Sequence, residues 1–258
     1  MKYFDSHCHL NDEKILERID EEISQMREAG ISTALCIGYD LASSRKAIEL
    51  AEKYPEVYAS VGMHPENLEG ETMAVLDDIR ELARHPKVLA IGEIGLDYHW
   101  YSDPAVREAQ KPWFIAQIGL ANELGLPCSI HARDASQDTY EILRAHPVQA
   151  GAVLHCYSGS PEMMAEFEKL GLYFGFDGPI TYKNSITPKE CVRRCKADRI
   201  LVETDSPYLT PVPHRGKPNS SAYIPFIVKE MADLREIDVN SMNNQLWENF
   251  GKLFRVKQ

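Results

Sequence analysis

The sequence predicts an α/β fold, a (β/α)8 TIM barrel that occupies residues 1–258 as a single domain. Two observations favour this fold. Short runs rich in β-branched residues alternate with longer segments of helical periodicity, and there are eight such runs. The length of 258 residues is typical of a barrel, and no linker or low-complexity segment divides the chain. An open, doubly wound parallel sheet is the alternative that the same alternation allows.

The eight predicted strands cover residues 3–9, 32–38, 57–63, 88–94, 127–131, 152–156, 172–176 and 199–205. Between them, apolar residues recur at spacings of three and four, which indicates amphipathic helices. Three such stripes are clear: Leu16, Ile19, Ile23 and Met26; Val75, Ile79 and Leu82; and Leu246, Phe250, Leu253 and Phe254. Strands that alternate with helices pair in parallel, and eight repeats favour a closed barrel.

The net charge and the distribution of apolar residues limit the classes of function and location that this chain can have. The formal net charge of −11 argues against broad coating of a nucleic-acid duplex, but it allows a nuclease that holds a few nucleotides in one cleft. No window approaches the roughly 20 apolar residues of a membrane helix, and the first residues lack the apolar region of a secretory signal. We therefore expect a cytoplasmic protein with no membrane association.

Six cysteines are present, at positions 8, 36, 128, 156, 191 and 195. In a long chain without a secretory signal, reduced and mostly buried thiols are expected rather than a disulfide framework. Cys191 and Cys195 could share a helix face as a metal pair. However, no second Cys/His pair at zinc-site spacing completes a tetrahedral set.

Residues of the metal-ligand type end five of the predicted strands. They are His7, His9, Glu93, His131, His155 and Asp205. The C-terminal ends of barrel strands converge on one mouth, and residues i and i+2 share a strand face, so His7 and His9 point inward together. Imidazoles with carboxylates suit zinc, manganese, iron or nickel more than calcium. Six candidates exceed one four-coordinate site, so we expect two divalent metal ions, with Glu93 as the bridge.

Six short segments, taken in order along the chain, form a recognisable set of motifs. They are FDSHCHL at 4–10, GMHP at 62–65, GEIGLDY at 92–98, IHARDA at 130–135, HCYSG at 155–159 and ETDSPY at 203–208. Together they resemble the signatures of the TatD family of metal-dependent deoxyribonucleases, from position 4 to about 219. The resemblance implies a (β/α)8 metallo-dependent hydrolase with the six strand-end residues as ligands. It also implies divalent-metal-dependent DNase activity, expected to be 3′–5′ exonucleolytic on single-stranded ends.

Two positions depart from the family pattern. Glu66 stands where the family often has a second histidine after the His-Pro of the second signature. The segment 218–221, Pro-Asn-Ser-Ser, replaces a frequent Arg-Asn-Glu-Pro run. Neither change touches a ligand, so both concern substrate contacts at the mouth.

Three residues are predicted to take part in catalysis. Glu93 and Asp205 are ligands, and Asp205 is either a ligand alone or also the general base that accepts a proton from the attacking water. Arg133 lies two residues beyond His131. Its guanidinium could bind a phosphate bidentately and stabilise developing charge, or form a structural ion pair with Asp134 or Asp97.

Four further residues are predicted to contact substrate. His64 ends the third strand and faces the mouth as a phosphate contact or a loop-packing residue. Tyr98 and Tyr157, with His99 and Trp100, are candidates for stacking on bases, although packing is the alternative. Arg215 lies in the proline-rich segment 206–223 after the last strand, where barrels place their site loops, and it is either a phosphate contact or a structural residue there.

Three functions remain open from the residues alone. The first is hydrolysis of DNA phosphodiesters, with short single-stranded ends as the substrate. The second keeps the metals but cleaves an ester or amide, as a D-aminoacyl-tRNA deacylase or a small-molecule amidohydrolase would, because a metal polarises carbonyl and phosphoryl groups alike. The third is a non-enzymatic, metal-holding scaffold. The oligomeric state is open, and a monomer is the working expectation.

Overall fold

A computed structural model describes residues 1–256, and its eight strands form one parallel sheet in chain order. The strands are β1 (Tyr3–Cys8), β2 (Ile31–Ile37), β3 (Val57–Val61), β4 (Val88–Asp97), β5 (Cys128–Arg133), β6 (Ala152–Leu154), β7 (Tyr173–Phe176) and β8 (Ile200–Val202). The sheet curls into a nearly closed barrel, so the predicted (β/α)8 fold is confirmed. Each predicted strand is present, and the boundaries shift by up to three residues.

Helices connect successive strands and surround the barrel. They are α1 (Glu13–Leu16), α2 (Ile19–Glu28), α3 (Leu41–Lys53), α4 (Val75–Leu82), α5 (Pro104–Leu124), α6 (Ser136–Ala145), α7 (Pro161–Lys169), α8 (Ile186–Arg194), α9 (Ile224–Leu234) and α10 (Val239–Phe254). Within residues 1–256, none of them combines the length and the apolar character that a membrane crossing requires.

Short polar residues and glycine define the helix ends. The Asp40 side chain accepts from the backbone N–H of Ser43, and the Ser43 hydroxyl accepts from that of Asp40, which makes a capping box at the start of α3. Asp103 caps α5 before Pro104, and the helix ends at Gly125, whose φ of 66° is the left-handed conformation that glycine adopts without strain. The two N-caps mark where loops of the barrel mouth end, and Gly125 begins a connection at the opposite end of the barrel.

The seam between the first and last strands is closed by hydrogen bonds near their C-terminal ends. The backbone N–H of Asp205 donates to the carbonyl of His7 at 2.9 Å. The buried carboxylate of Asp5 accepts from the backbone N–H of Thr204 at 3.0 Å and from its hydroxyl at 2.5 Å. The first and last strands are therefore held together beside the barrel mouth.

The main apolar core lies between the strands and the surrounding helices. Phe4 of β1 is fully buried, and its ring centroid lies 4.3 Å from that of Phe250 and 4.9 Å from that of Trp247, both in α10. Burial of each such side chain contributes about 1.5–3 kcal/mol. All six cysteines are free thiols, and only Cys156 is not fully buried, which agrees with their expected packing role.

Candidate metal centre

Glu93 of β4 lies at the centre of the barrel mouth, where its carboxylate faces several imidazoles. Its Oε1 atom is 2.7 Å from His155 Nε2, 2.9 Å from His131 Nδ1 and 3.4 Å from His64 Nε2. The carboxylate side chain is almost completely buried. One oxygen of Glu93 thus lies within 3.4 Å of imidazoles from three different strand ends.

The second oxygen of Glu93 faces the histidines of β1. Glu93 Oε2 is 3.5 Å from His7 Nε2 and 3.8 Å from His9 Nε2. Asp205 joins them from the end of β8, because its Oδ1 atom is 3.2 Å from His9 Nε2 and 3.6 Å from His7 Nε2. The structure therefore brings all six predicted ligands to one place.

Atoms that could bind a metal form three overlapping groups, with the atoms of each group within 4.8 Å of one another. The groups are His7, Glu93 and His155; His7, His9 and Asp205; and His64, Glu93 and His131. Glu93 belongs to two groups, which is the arrangement that a bridging carboxylate requires. His64 was predicted as a phosphate contact, and the structure places it next to the ligands.

Hydrogen bonding at His131 shows that this cluster suits a cation. Burial alone would raise the pKa of Asp97, but hydrogen bonds from His131 and from the backbone N–H of Trp100 hold it below its usual range. An ionised carboxylate only accepts, so His131 Nε2, 2.9 Å from Asp97 Oδ2, carries the proton. In the neutral ring, Nδ1 then directs a lone pair at Glu93 Oε1. Burial would lower the pKa of His131, but hydrogen bonds to Asp97 and Glu93 raise it and favour a proton on Nδ1. That proton, or a metal ion between the two acceptors, removes their repulsion. The donor set fits a divalent metal.

His64 differs from His131 in its hydrogen bonding. Its Nδ1 atom accepts from the backbone N–H of Glu66 at 3.2 Å, and the residue forms the N-cap of a short 3-10 helix. In the neutral ring, the proton must then reside on Nε2, which points toward Glu93 Oε1. His64 is consequently arranged as a hydrogen-bond donor to an anion in the mouth.

Buried polar residues support the cluster from behind, and the sequence did not predict the contacts that two of them, Asp97 and Ser129, make with histidines. Asp97 ends β4 and orients His131. Ser129 Oγ of β5 lies 3.2 Å from His7 Nδ1. Glu203, directly after β8, has Oε1 3.6 Å from His155 Nδ1. Such partners fix ring orientation and tautomer in metal sites.

The electrostatics of the cluster are strongly coupled. Burial alone would raise the pKa of Glu93, but His155, His64 and His131 hold it well below its usual range. Burial would lower the pKa of His155, but Glu93 and Glu203 raise it well above its usual value. The centre therefore contains ionised carboxylates that favour positive charge on or between the imidazoles.

Asp177, directly after β7, was not predicted from the sequence. Burial first, and then the nearby carboxylates of Glu203 and Asp205, raise its pKa well above the usual range. Its Oδ2 atom is buried without a hydrogen-bond partner among the described residues. The position could have been noticed because it follows a strand, as the ligands do.

Arg133 ends β5 beside the cluster and lies over an aromatic ring. Its guanidinium carbon is 5.3 Å from the ring centroid of Trp100. Neither of the ion pairs considered from the sequence is present: Asp97 contacts His131, and Asp134 contacts His99 at 3.0 Å. Within residues 1–256, no carboxylate lies within 4.0 Å of the Arg133 guanidinium, so its N–H groups remain available to an anion.

The predicted aromatic contacts do not all reach the mouth. Tyr157 is only 8% exposed, its ring packs edge-on against Phe174 at 5.0 Å, and its hydroxyl donates to the carbonyl of Ser160. The prediction that Tyr157 stacks on bases is therefore wrong: it is a core residue. Its backbone follows Cys156, whose φ of 45° turns the chain back toward β7.

Tyr98 and Arg215 each belong to a cation–aromatic pair in the loops. The Tyr98 hydroxyl donates to Asp138 at 2.6 Å, and Arg107 lies 4.9 Å from its ring centroid. The guanidinium of Arg215 lies 4.3 Å from the ring centroid of Tyr182. Both residues line loops that follow strand ends, and their substrate contacts stay a prediction.

Comparison with known proteins extends these observations. A family model described as TatD related DNase matches residues 4–255. The uncharacterized metal-dependent hydrolase YabD of Bacillus subtilis is 40% identical over 98% of this chain and 99% of its own. YcfH of Escherichia coli K12, also an uncharacterized metal-dependent hydrolase, is 35% identical over 98% and 95%. The crystal structure of the E. coli TatD homologue YJJV superposes with a TM-score of 0.93, at 27% identity and 98% coverage of both chains.

Proposed function

This chain belongs to the TatD family of metal-dependent hydrolases, and from that premise we propose that it is a deoxyribonuclease that cleaves phosphodiester bonds at single-stranded DNA ends. The observation that carries the proposal is a guanidinium without a carboxylate partner, that of Arg133, two residues beyond His131 of the carboxylate–imidazole cluster. An anionic substrate would supply the negatively charged partner that this guanidinium lacks. The proposed direction of degradation is 3′ to 5′.

We assign the binding of two divalent ions to the six strand-end residues. These are His7, His9, Glu93, His131, His155 and Asp205. Zinc, manganese, magnesium, iron and nickel are all compatible with imidazole and carboxylate ligands in different proportions. When bound, such ions supply Lewis acidity toward a phosphoryl oxygen. Glu93 would offer a ligand atom from each carboxylate oxygen, because the two oxygens face different histidines.

The protein's own residues then divide the remaining work. Asp205 is in reach of the β1 histidines and partly exposed at the mouth, so its carboxylate can accept the proton of an attacking water. Arg133 would bind the non-bridging phosphate oxygens. His64, protonated on Nε2, would donate to the same group. Arg215 would hold a neighbouring phosphate from the loop after β8.

Turnover of end-labelled single-stranded DNA tests the proposal. Metal-stripped protein receives magnesium, manganese, zinc or no metal, and Glu93→Ala is the inactive control. We expect a ladder from the 3′ end that needs both a metal and Glu93. Arg133→Met is compared with Arg199→Met, since Arg199 also lies over a tyrosine ring, at 5.1 Å, but next to the N-terminal ends of the strands.

The opposite result also has a clear meaning. If folded protein binds two ions yet cleaves no DNA with any metal, the phosphodiester proposal fails. The same centre would then be assayed on carboxyl esters, amides and aminoacyl-RNA, because a metal polarises a carbonyl as readily as a phosphoryl group. Equal loss of DNA and simple carboxyl-ester turnover in Arg133→Met would show that phosphate binding is not the role of this residue.

A further inference from the structure

Trp100 is a large aromatic side chain left open to solvent at the barrel mouth. It is 64% exposed, whereas the other two tryptophans, Trp113 and Trp247, are 8% and 5% exposed. A buried tryptophan normally contributes to packing, so an indole that stays mostly in water gains little from folding. It lies in the loop after β4, at the end of the barrel that carries the carboxylate–imidazole cluster, where a ligand can reach it.

The indole is tied to the metal centre through one residue. Asp97 accepts from the backbone N–H of Trp100 at 3.2 Å and from that of His99 at 2.9 Å with one carboxylate oxygen. The other oxygen contacts His131 Nε2 at 2.9 Å. The Trp100 backbone is thus linked to the proposed ligand His131 through a single carboxylate, so the loop that carries the indole is anchored at the cluster.

The side chains of Arg133 and His99 both lie against the indole ring of Trp100. The guanidinium of Arg133 lies 5.3 Å from the indole centroid, and the His99 ring meets the indole at 84° with centroids 4.7 Å apart. A guanidinium stacked on a ring keeps its N–H donors at its edges, where they can bind phosphate. The pair thus presents an open aromatic surface and a phosphate-binding edge together.

We propose that Trp100 and Arg133 form one nucleotide subsite, in which the indole stacks on an unpaired base while the guanidinium binds a phosphate of the same strand. The inference rests on the proposed function and names how that site recognises its substrate. A base inside a duplex is already stacked and paired, so the subsite selects single-stranded ends. Because every base has a π-face, it does so with little sequence preference.

The three tryptophans provide a direct measurement. Metal-loaded protein is titrated with a short phosphorothioate oligothymidylate, whose linkages resist hydrolysis, and the tryptophan fluorescence is recorded. Trp113 and Trp247 are buried, so quenching by a stacked base reports Trp100. A strand of the same length and charge without bases, and a blunt hairpin, serve as comparison ligands. We expect saturable quenching by the oligothymidylate and weak or no quenching by the other two.

Affinities measured by anisotropy of labelled strands separate stacking from phosphate binding. Trp100→Ala should weaken binding of the base-containing strand by roughly 5- to 150-fold, so that the ratio of affinities for the two strands falls toward one. Trp100→Phe, with a smaller ring, should give an intermediate ratio. Arg133→Met should weaken both strands alike, because both carry the phosphate.

Matched controls come from the other end of the barrel. Tyr58, at the start of β3, is an aromatic residue with Lys87 4.4 Å from its ring centroid, and Tyr58→Ala should leave the affinity ratio unchanged. The subsite is overturned if strands with and without bases bind equally well. It is also overturned if Trp100→Ala has no larger effect than Tyr58→Ala.

Failure of the subsite and failure of the proposed function give different results. Metal-dependent DNA cleavage with an affinity ratio that is insensitive to Trp100 would refute the subsite alone. Base-dependent quenching through Trp100 without cleavage by any metal would refute the deoxyribonuclease and retain the subsite, and the substrate would then be an ester carried on a nucleic acid.

Discussion

Replacing Asp97 by asparagine tests how strongly the metal centre depends on a residue that is not a proposed ligand. Asp97 is fully buried, and its two oxygens serve different partners. One oxygen lies 2.9 Å from His131 Nε2, and the other accepts from the backbone N–H groups of His99 and Trp100. Asparagine has one acceptor oxygen and one donor NH₂ group, so it cannot serve both.

The expected loss follows from this geometry. If the amide oxygen of the asparagine faces His131, its NH₂ group faces the two backbone N–H donors of His99 and Trp100. If the amide is turned round, the NH₂ group faces the Nε2–H of His131. In either case two hydrogen-bond donors face each other. In both orientations His131 loses the negative charge that fixes its tautomer. Removal of such a partner lowers metal affinity by about 10- to 100-fold, which corresponds to about 1.4–2.8 kcal/mol.

Competition with a chromophoric zinc chelator measures the metal affinity, and circular dichroism checks the fold. Asp103→Asn is the matched control, because Asp103 caps α5 on the Ala105 N–H at 2.9 Å, and asparagine caps helices equally well. If the Asp97→Asn protein is folded and binds zinc within about twofold of the wild type, Asp97 does not position His131 for metal binding, and the inference from their contact is refuted.

Three further predictions concern the substrate, the core and the metal. Arg133→Met should lower kcat/KM on single-stranded DNA roughly 10- to 150-fold, since hydrogen bonds to charged groups contribute about 1.5–3 kcal/mol; steady-state kinetics that match Arg199→Met would contradict this. Phe250→Ala removes the ring packed on Phe4, and the free energy of unfolding in urea should fall by about 3–5 kcal/mol; an unchanged midpoint would contradict the packing. Metal at 100 times its Kd should raise the free energy of unfolding by about 2.7 kcal/mol; the same gain in Glu93→Ala would show that the ions bind elsewhere.

The sequence predicts the fold and the convergence of ligand-type residues well, because both depend on local patterns. Strand periodicity determines which side chains point inward, and parallel pairing brings strand ends together. The apolar stripe at residues 16–26 was less informative about the helices: it continues across a break at residues 17–18 that divides α1 from α2. Spacing alone cannot reveal such a break, since Leu16 before it and Ile19 after it both pack against the core.

Contacts behind the ligands could not be predicted in the same way. The meeting of Ser129 with His7 depends on how far non-adjacent strands are staggered in the barrel, and no spacing in the chain records that stagger. Tyr157 shows a second limit. Its neighbour Cys156 adopts a left-handed conformation, and one such residue redirects a side chain from the mouth to the core. The exposed Trp100 was only one of several aromatic candidates until its burial was known.

Closure of the barrel by its first and last strands has a consequence for biosynthesis. His7 and Asp205 approach each other across about three quarters of the chain, and the backbone hydrogen bond between them forms only when β8 is in place. While the polypeptide is still emerging from the ribosome, the β1 histidines lack their partner carboxylate. Pairing of such distant segments comes late in folding, because the entropy of closing the loop must be overcome first. A partly synthesised chain that lacks β8 therefore lacks Asp205, and the full set of proposed ligands comes together only after the last strand is in place.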